Sequence, residues 1–221
     1  KQILENSFQI LLDNRILKTP MQKDLIFSNH KMATETALEW DIDEKEINTE
    51  NMIFYGLMST FIDKVKDDRV SYIENILEFV NTDLICYRAD SPNELVELQK
   101  SSWNPIILYI KKYIDAELET FIGVMPSKQS LEIFLKLKVL INSFSGIQIS
   151  ALYRMTNLTG SIFISLCILK GDVLKNKAFE LSFLDELWQA KNWGIEEEAS
   201  DKREKIAREL NRIISFVELI R

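Results

Sequence analysis

The stretch Leu158-Thr159-Gly160-Ser161-Ile162-Phe163-Ile164-Ser165-Leu166-Cys167-Ile168-Leu169 decides the fold. It is apolar on nearly every face, which in a globular chain means a central helix enclosed by others. Its longest apolar run, 162–169, is eight residues interrupted by Ser165. A membrane-spanning helix needs about 18 such residues, so a buried core helix is the expectation. Thr159, Gly160 and Ser161 supply small side chains where a neighbouring helix can approach closely.

Outward from this segment, toward the C-terminus, apolar residues recur at three- and four-residue spacing. Ala178, Leu181, Leu184, Leu187 and Trp188 predict one penultimate helix, stopped by Gly194 as a C-cap. Ile206, Leu210, Ile213, Ile214, Val217 and Ile220 predict the last helix. Its first turn would carry Glu196, Glu197 and Glu198, where the helix dipole favours negative charge.

Toward the N-terminus, helices are predicted through 147–155, and through Leu131, Phe134, Leu135, Leu137, Val139 and Leu140. Ser91-Pro92 reads as a helix start with proline at the first helical position, followed by Leu95, Leu98, Trp103 and Leu108 and a break or kink at Asn104-Pro105. Further helices are expected over 70–81, through Ile53, Leu57, Phe61 and Val65, and through Met32, Thr36, Leu38 and Trp40. Extended structure is expected only in the first 27 residues or so. There Phe8-Gln9-Ile10-Leu11-Leu12 and Ile16-Leu17-Lys18-Thr19 flank Asp13-Asn14-Arg15 as a hairpin, with Asn14 suited to the left-handed turn position. Leu25-Ile26-Phe27 would add a third short strand. The fold class is therefore α+β, a small N-terminal β-rich subdomain (hairpin plus short strand) packed on a mainly α-helical body. The segments are 1–28, β-rich; 29–125, helical and packed on it; and 126–221, all-helical.

Composition excludes several functions. With 27 Lys and Arg against 34 Asp and Glu, the net charge is −7. No basic block occurs, so a nucleic-acid partner, which needs clustered positive charge, is not expected. Cys86 and Cys167 each sit among apolar neighbours and read as buried thiols, consistent with a reducing compartment. The chain opens on Lys1, the pattern of a trimmed form with any targeting peptide out of view.

Catalytic signatures are scarce. His30 is the only histidine, and beside Ser28 and Asn29 it reads as an exposed helix start rather than a triad member. One His and two distant Cys do not make a zinc set, so no metal is expected. The six glycines are never closer than eleven residues, so neither phosphate-cradling loop can be built. Carboxylate pairs such as Glu35 with Glu39, and Asp185 with Glu186, could serve as acid and base, but fit solvated helix faces equally well. A carboxylate-based hydrolase with a pocket in the helical body is thus the alternative class. Trp40, Trp103, Trp188 and Trp193 read as core anchors or as partner-facing residues; Trp193, beside Gly194 and an acidic cluster, is the best partner-facing candidate.

Six blocks remain, in order: Leu12-Asp13-Asn14-Arg15 with Lys18-Thr19-Pro20; Ala37-Leu38-Glu39-Trp40-Asp41; Asp83-Leu84-Ile85-Cys86-Tyr87-Arg88; Trp103-Asn104-Pro105; Leu158-Thr159-Gly160-Ser161; and Leu184-Asp185-Glu186-Leu187-Trp188-Gln189 with Trp193-Gly194-Ile195-Glu196-Glu197-Glu198. Together they resemble the family of ATP synthase assembly chaperones that act on the alpha subunit of the F1 sector. Asn14 stands where the family usually has glycine, Asn104 where an Asp is common, and Glu196 where an Asp is usual.

The resemblance implies a non-enzymatic chaperone without cofactor, acting in the bacterial cytoplasm or mitochondrial matrix. It would bind unassembled alpha transiently until the beta subunit replaces it, with no membrane insertion and the chain monomeric on its own. Glu186 and the acidic cluster ending at Glu198 are similar to positions where the family places a functionally sensitive glutamate. The implied partner-binding residues are Glu186, Trp188, Gln189, Trp193, Glu196 and Glu198. Trp40, Asp83, Tyr87, Arg88 and Trp103 are assigned to the structural motif, a second partner-facing patch being the alternative for the last four, with Arg88 able to pair with Asp83 or Asp90.

Overall fold

The computed structural model describes residues 2–4, 7–41, 51–123, 127–194 and 197–221. At the N-terminus, β1 (Gln2–Leu4) pairs antiparallel with β2 (Ser7–Phe8), and β3 (Leu11–Leu12) with β4 (Arg15–Ile16). The connecting turn places both Asp13 and Asn14 at positive φ, 48° and 65°. That is the backbone a two-residue hairpin needs, supplied by the two residue types that tolerate it best after glycine. The expected third strand exists as a bridge, Phe8 exchanging both backbone hydrogen bonds with Phe27 at 2.9 and 3.0 Å. Leu25 and Phe27 are buried, and Thr19 Oγ1 donates to Asp63 at 2.6 Å, fastening this piece to the helices.

The helical body begins with α1 (His30–Leu38), capped by the Asn29 side chain, which accepts from the Lys31 and Met32 amides. Next come α2 (Ile53–Thr60), continued by a π-helical turn over Phe61–Val65, and α3 (Arg69–Glu78), ending in a tight turn over Phe79–Asn81. A second tight turn, Leu84–Cys86, leads into β5 (Tyr87–Arg88). α4 (Asn93–Ile114) follows, then β6 (Phe121–Ile122), α5 (Leu131–Asn142), α6 (Gly146–Thr159) and α7 (Ile162–Lys170). The chain closes with α8 (Lys175–Ser182), α9 (Leu184–Trp193) and α10 (Glu197–Glu218). As expected, α7 is the centre: every residue from Ile162 to Leu169 is buried, with α4, α6, α8 and α10 around it. No helix among the described residues is long and apolar enough to cross a membrane.

Four expectations need correction. β structure is not confined to the first 27 residues, because β5 and β6 form a two-residue parallel pair, Tyr87 opposite Phe121. Pro92 is the N-cap of α4 rather than its first residue. α4 runs unbroken through Pro105. Ser101, whose carbonyl loses its helix donor, and Pro105 both face water, while Trp103, Ile106 and Ile110 bury the opposite side and outweigh the proline penalty of about 3 kcal/mol. The expected penultimate helix is two helices, α8 and α9, divided at Phe183 (φ −121°, ψ 29°). The Leu181 carbonyl, which a continuous helix would give to the Asp185 amide, accepts instead from Trp103 Nε1 at 2.9 Å.

Candidate functional site

The residues 83–88 form a buried node that positions helices. Asp83 lies where α7 begins: its carboxylate accepts from Ser161 Oγ at 2.7 Å and from the Ile85 and Phe163 amides at 3.1 and 3.2 Å. Ser161 in turn caps α7 by accepting from the Ile164 amide. Complete burial pushes Asp83 up to about 7, against the pull of these donors toward the carboxylate. Cys86 and Cys167 are both buried free thiols, each pushed up by burial. The Tyr87 hydroxyl donates to the Asn81 carbonyl at 2.7 Å and accepts from the Ser127 amide at 3.2 Å.

Arg88 pairs with neither Asp83 nor Asp90. Nε donates to the Ile85 carbonyl at 2.7 Å and Nη1 to the Gln99 carbonyl at 3.0 Å, while the guanidinium sits 5.1 Å from the Trp103 ring centroid. Burial lowers its pKa below the usual arginine value. Gln99 extends the node outward: its side-chain oxygen accepts from the Ala89 amide at 2.8 Å and its nitrogen donates to Asp185 at 2.8 Å. Asp185 opens α9, so the buried network ends on the helix that carries most of the expected partner-facing residues.

On α9, Glu186, Gln189 and Trp193 recur at i, i+3 and i+7, on one side of the helix. All three are exposed, Trp193 by 75 %. Trp188 is half-buried and meets Trp193 edge to face at 5.6 Å. Gly194, at φ 97°, ends the helix there. Glu198 lies in the first turn of α10, and Glu196 lies outside the described residues. Trp40 is elsewhere, edge-on to Tyr55 at 5.0 Å with its buried Nε1 unpartnered among the described residues. His30 is exposed at the start of α1, its ring 5.1 Å from Phe8.

The Glu35 and Glu39 pair is not a solvated face. Arg212 of α10 bonds both, at 3.2 and 3.1 Å. The Glu39 side chain is only 6 % exposed, and it accepts from the Phe54 and Tyr55 amides at 2.9 and 3.0 Å, capping α2. The Arg212 guanidinium also lies 4.5 Å from the Phe54 ring centroid. Neither this arrangement nor the Gln99 relay carries a local signal, because each depends on partners far along the chain.

Among the described residues, three cavities bear on chemistry. One of about 340 Å³ between α2, α3 and α6 is lined by Lys64, Tyr72, Tyr153 and Arg154 with no carboxylate. A second, of about 450 Å³ between α4 and α5, is largely apolar. The third lies along the hairpin and holds a single acid, Asp13. No group of three or more acidic, His or Cys side chains among the described residues could hold a metal ion.

With this geometry in place, relatives become informative. Residues 1–111 match the family model of the ATP12 chaperone protein. The mitochondrial protein atp12 of Schizosaccharomyces pombe is 27% identical over 204 residues, which is 87% of this chain and 70% of that protein. The crystal structure of Atp12 from Paracoccus denitrificans superposes with a TM-score of 0.89 at 29% identity, covering 100% of this chain and 94% of that one. The Atu1473 protein of Agrobacterium tumefaciens gives 0.90 at 31% identity over 99% and 82% of the two chains. The hairpin, the α7-centred body and the matched sequence agree: the chain belongs to the ATP12 chaperone family.

Proposed function

We propose that this chaperone of ATP synthase assembly works by binding the unassembled alpha subunit of the F1 sector and covering it until the beta subunit takes its place. The observation that carries this is the outer face of α9, where exposed Trp193 stands with Glu186 and Gln189 on a helix anchored from beneath by Asp185 and Gln99. A large exposed aromatic beside charge, on a rigid support, is the composition of a protein-binding hot spot. A subunit awaiting its neighbours exposes apolar interface that drives misassociation. A protein that covers such a surface reversibly needs no reaction of its own.

In this reading Glu186, Trp188, Gln189, Trp193, Glu196 and Glu198 meet the alpha subunit, one of the glutamates facing a basic group. Trp40, Asp83, Tyr87, Arg88 and Trp103 hold the scaffold. The protein acts in the compartment where F1 is built, the mitochondrial matrix or bacterial cytoplasm. A carboxylate-based hydrolase finds no support in the three cavities lined by described residues, none of which holds a facing pair of acids.

The test is co-purification with separately expressed alpha and beta subunits of the cognate synthase. Selective capture of alpha, reversed by adding beta, is the expected result; capture of neither subunit overturns the reading. Charge reversal at Glu186 and at Glu198, with folding followed by circular dichroism, then tests the acidic contact. Full retention of alpha by both variants would remove the glutamates from the interface.

A further inference from the structure

Helix α5 is apolar on two faces. Ile133, Leu137 and Ile141 point inward and are buried, while Leu131, Leu135 and Val139, at i, i+4 and i+8, are 72, 52 and 73 % exposed. This outer stripe is about 12 Å long. It borders the cavity of about 450 Å³ whose other wall is Tyr113 and Ile114 of α4. Water-exposed leucines in an unbroken stripe, beside an open apolar groove, mark a protein contact rather than a solvated surface. A ridge at four-residue spacing flanked by a second helix is shaped to take a third helix.

The charges at the groove indicate what that helix must carry. Lys136 is already committed, 2.7 Å from Glu132 and donating to the Asp115 carbonyl at 2.6 Å. Lys170 is not: its ammonium lies 5.7 Å from the Tyr113 ring centroid and 5.0 Å from that of Phe144, with no carboxylate partner among the described residues. Two aromatic faces thus hold a cation beside the groove without neutralising it. A second copy of this chain would bring another net charge of −7 and a second Lys170 to the same face, which electrostatics opposes.

We propose that the α4–α5 groove docks an amphipathic helix of the unassembled client, its apolar residues on Leu131, Leu135 and Val139 and a carboxylate on Lys170. This rests on the reading that the client is the alpha subunit. It adds a second foothold to the α9 face, because Gln99, which anchors α9, and Tyr113, which lines the groove, are about 21 Å apart along α4.

Because Cys86 and Cys167 are buried, Val139→Cys introduces a single accessible thiol at the groove. Bound alpha subunit is expected to slow maleimide labelling of that thiol more than tenfold, and labelling beforehand with a bulky maleimide should weaken alpha capture at least tenfold. Lys170→Glu should weaken capture several-fold while the protein stays folded under the capture conditions, with a urea midpoint lowered modestly by the loss of the two aromatic contacts and of the cation at the end of α7, which keeps the idea testable should the cysteine variant fold poorly. If wild type captures alpha but labelling, prelabelling and Lys170→Glu have no effect, the groove is overturned and the alpha reading stands. If wild type captures no alpha, both fall. Labelling that slows with concentration of this chain alone would assign the groove to a second copy and overturn the proposed occupant.

Discussion

Trp103 and Trp193 both belong to the sequence blocks that carry the resemblance, yet they lie at opposite extremes of burial. Trp103 is wholly buried on α4, its Nε1 spent on the Leu181 carbonyl and its ring under the Arg88 guanidinium. Trp193 is three-quarters exposed and touches the fold chiefly through Trp188. Glu39 and Glu186 repeat the contrast among acids: the first caps α2 and holds Arg212, the second faces solvent. Residue type thus singles out a position, and its far partner decides whether it is tied into the fold or left facing solvent.

The strongest way to break this contrast is Trp103→Ala. It removes a fully buried ring and orphans a carbonyl, so urea denaturation should report a loss of about 3–5 kcal/mol. A loss below about 1 kcal/mol would mean that Trp103 is not the anchor its burial implies. Next is Glu39→Ala, which leaves two α2 amides uncapped and Arg212 without its buried acid. The exposure of Arg212 tempers the effect, so about 2–3 kcal/mol is expected by the same measurement.

Asp83 sharpens the comparison through pH. Its carboxyl is raised from 3.8 to about 7 in the fold, so the native state holds more protons than the open chain across that window. Stability relative to Asp83→Asn should therefore be greatest near pH 4 and decline toward pH 7, by at most about 1.4 kcal/mol per pH unit. A pH-independent difference between the two proteins would contradict this. The smallest effect on stability belongs to Trp193→Ala, within about 0.5 kcal/mol. The same variant should lose most of its alpha capture, and stable folding with full capture would remove Trp193 from the interface.

Much of the fold could be read from local pattern. α3, α5, α6 and α10 follow from apolar spacing, and the all-apolar run from Ile162 predicts the central helix. What could not be read was set at a distance. Pro105 looked like a break because the buried side that holds α4 together is invisible in a dipeptide. Phe183 looked helical because the donor that diverts the Leu181 carbonyl lies 78 residues earlier. The exposure of Trp193 was foreshadowed by the glycine beside it. The burial of Glu39 was not, since i, i+4 acids look alike whether or not an arginine elsewhere reaches them. The outer stripe of α5 lies within the apolar pattern that predicts the helix, but spacing reports which residues are apolar and not which face is covered.

The bridge from Arg212 to Glu39 also places an event in time. The ribosome must add 173 residues after Glu39 before its cation exists. At roughly 5–20 residues per second that is about 9–35 s during which Glu39 has been made and Arg212 has not. Residues 30–60, which form α1 and α2, are thus complete in sequence long before their closing charge is synthesised. A protein proposed to shelter incomplete assemblies passes through an unclosed interval of its own, which ends only when α10 is made.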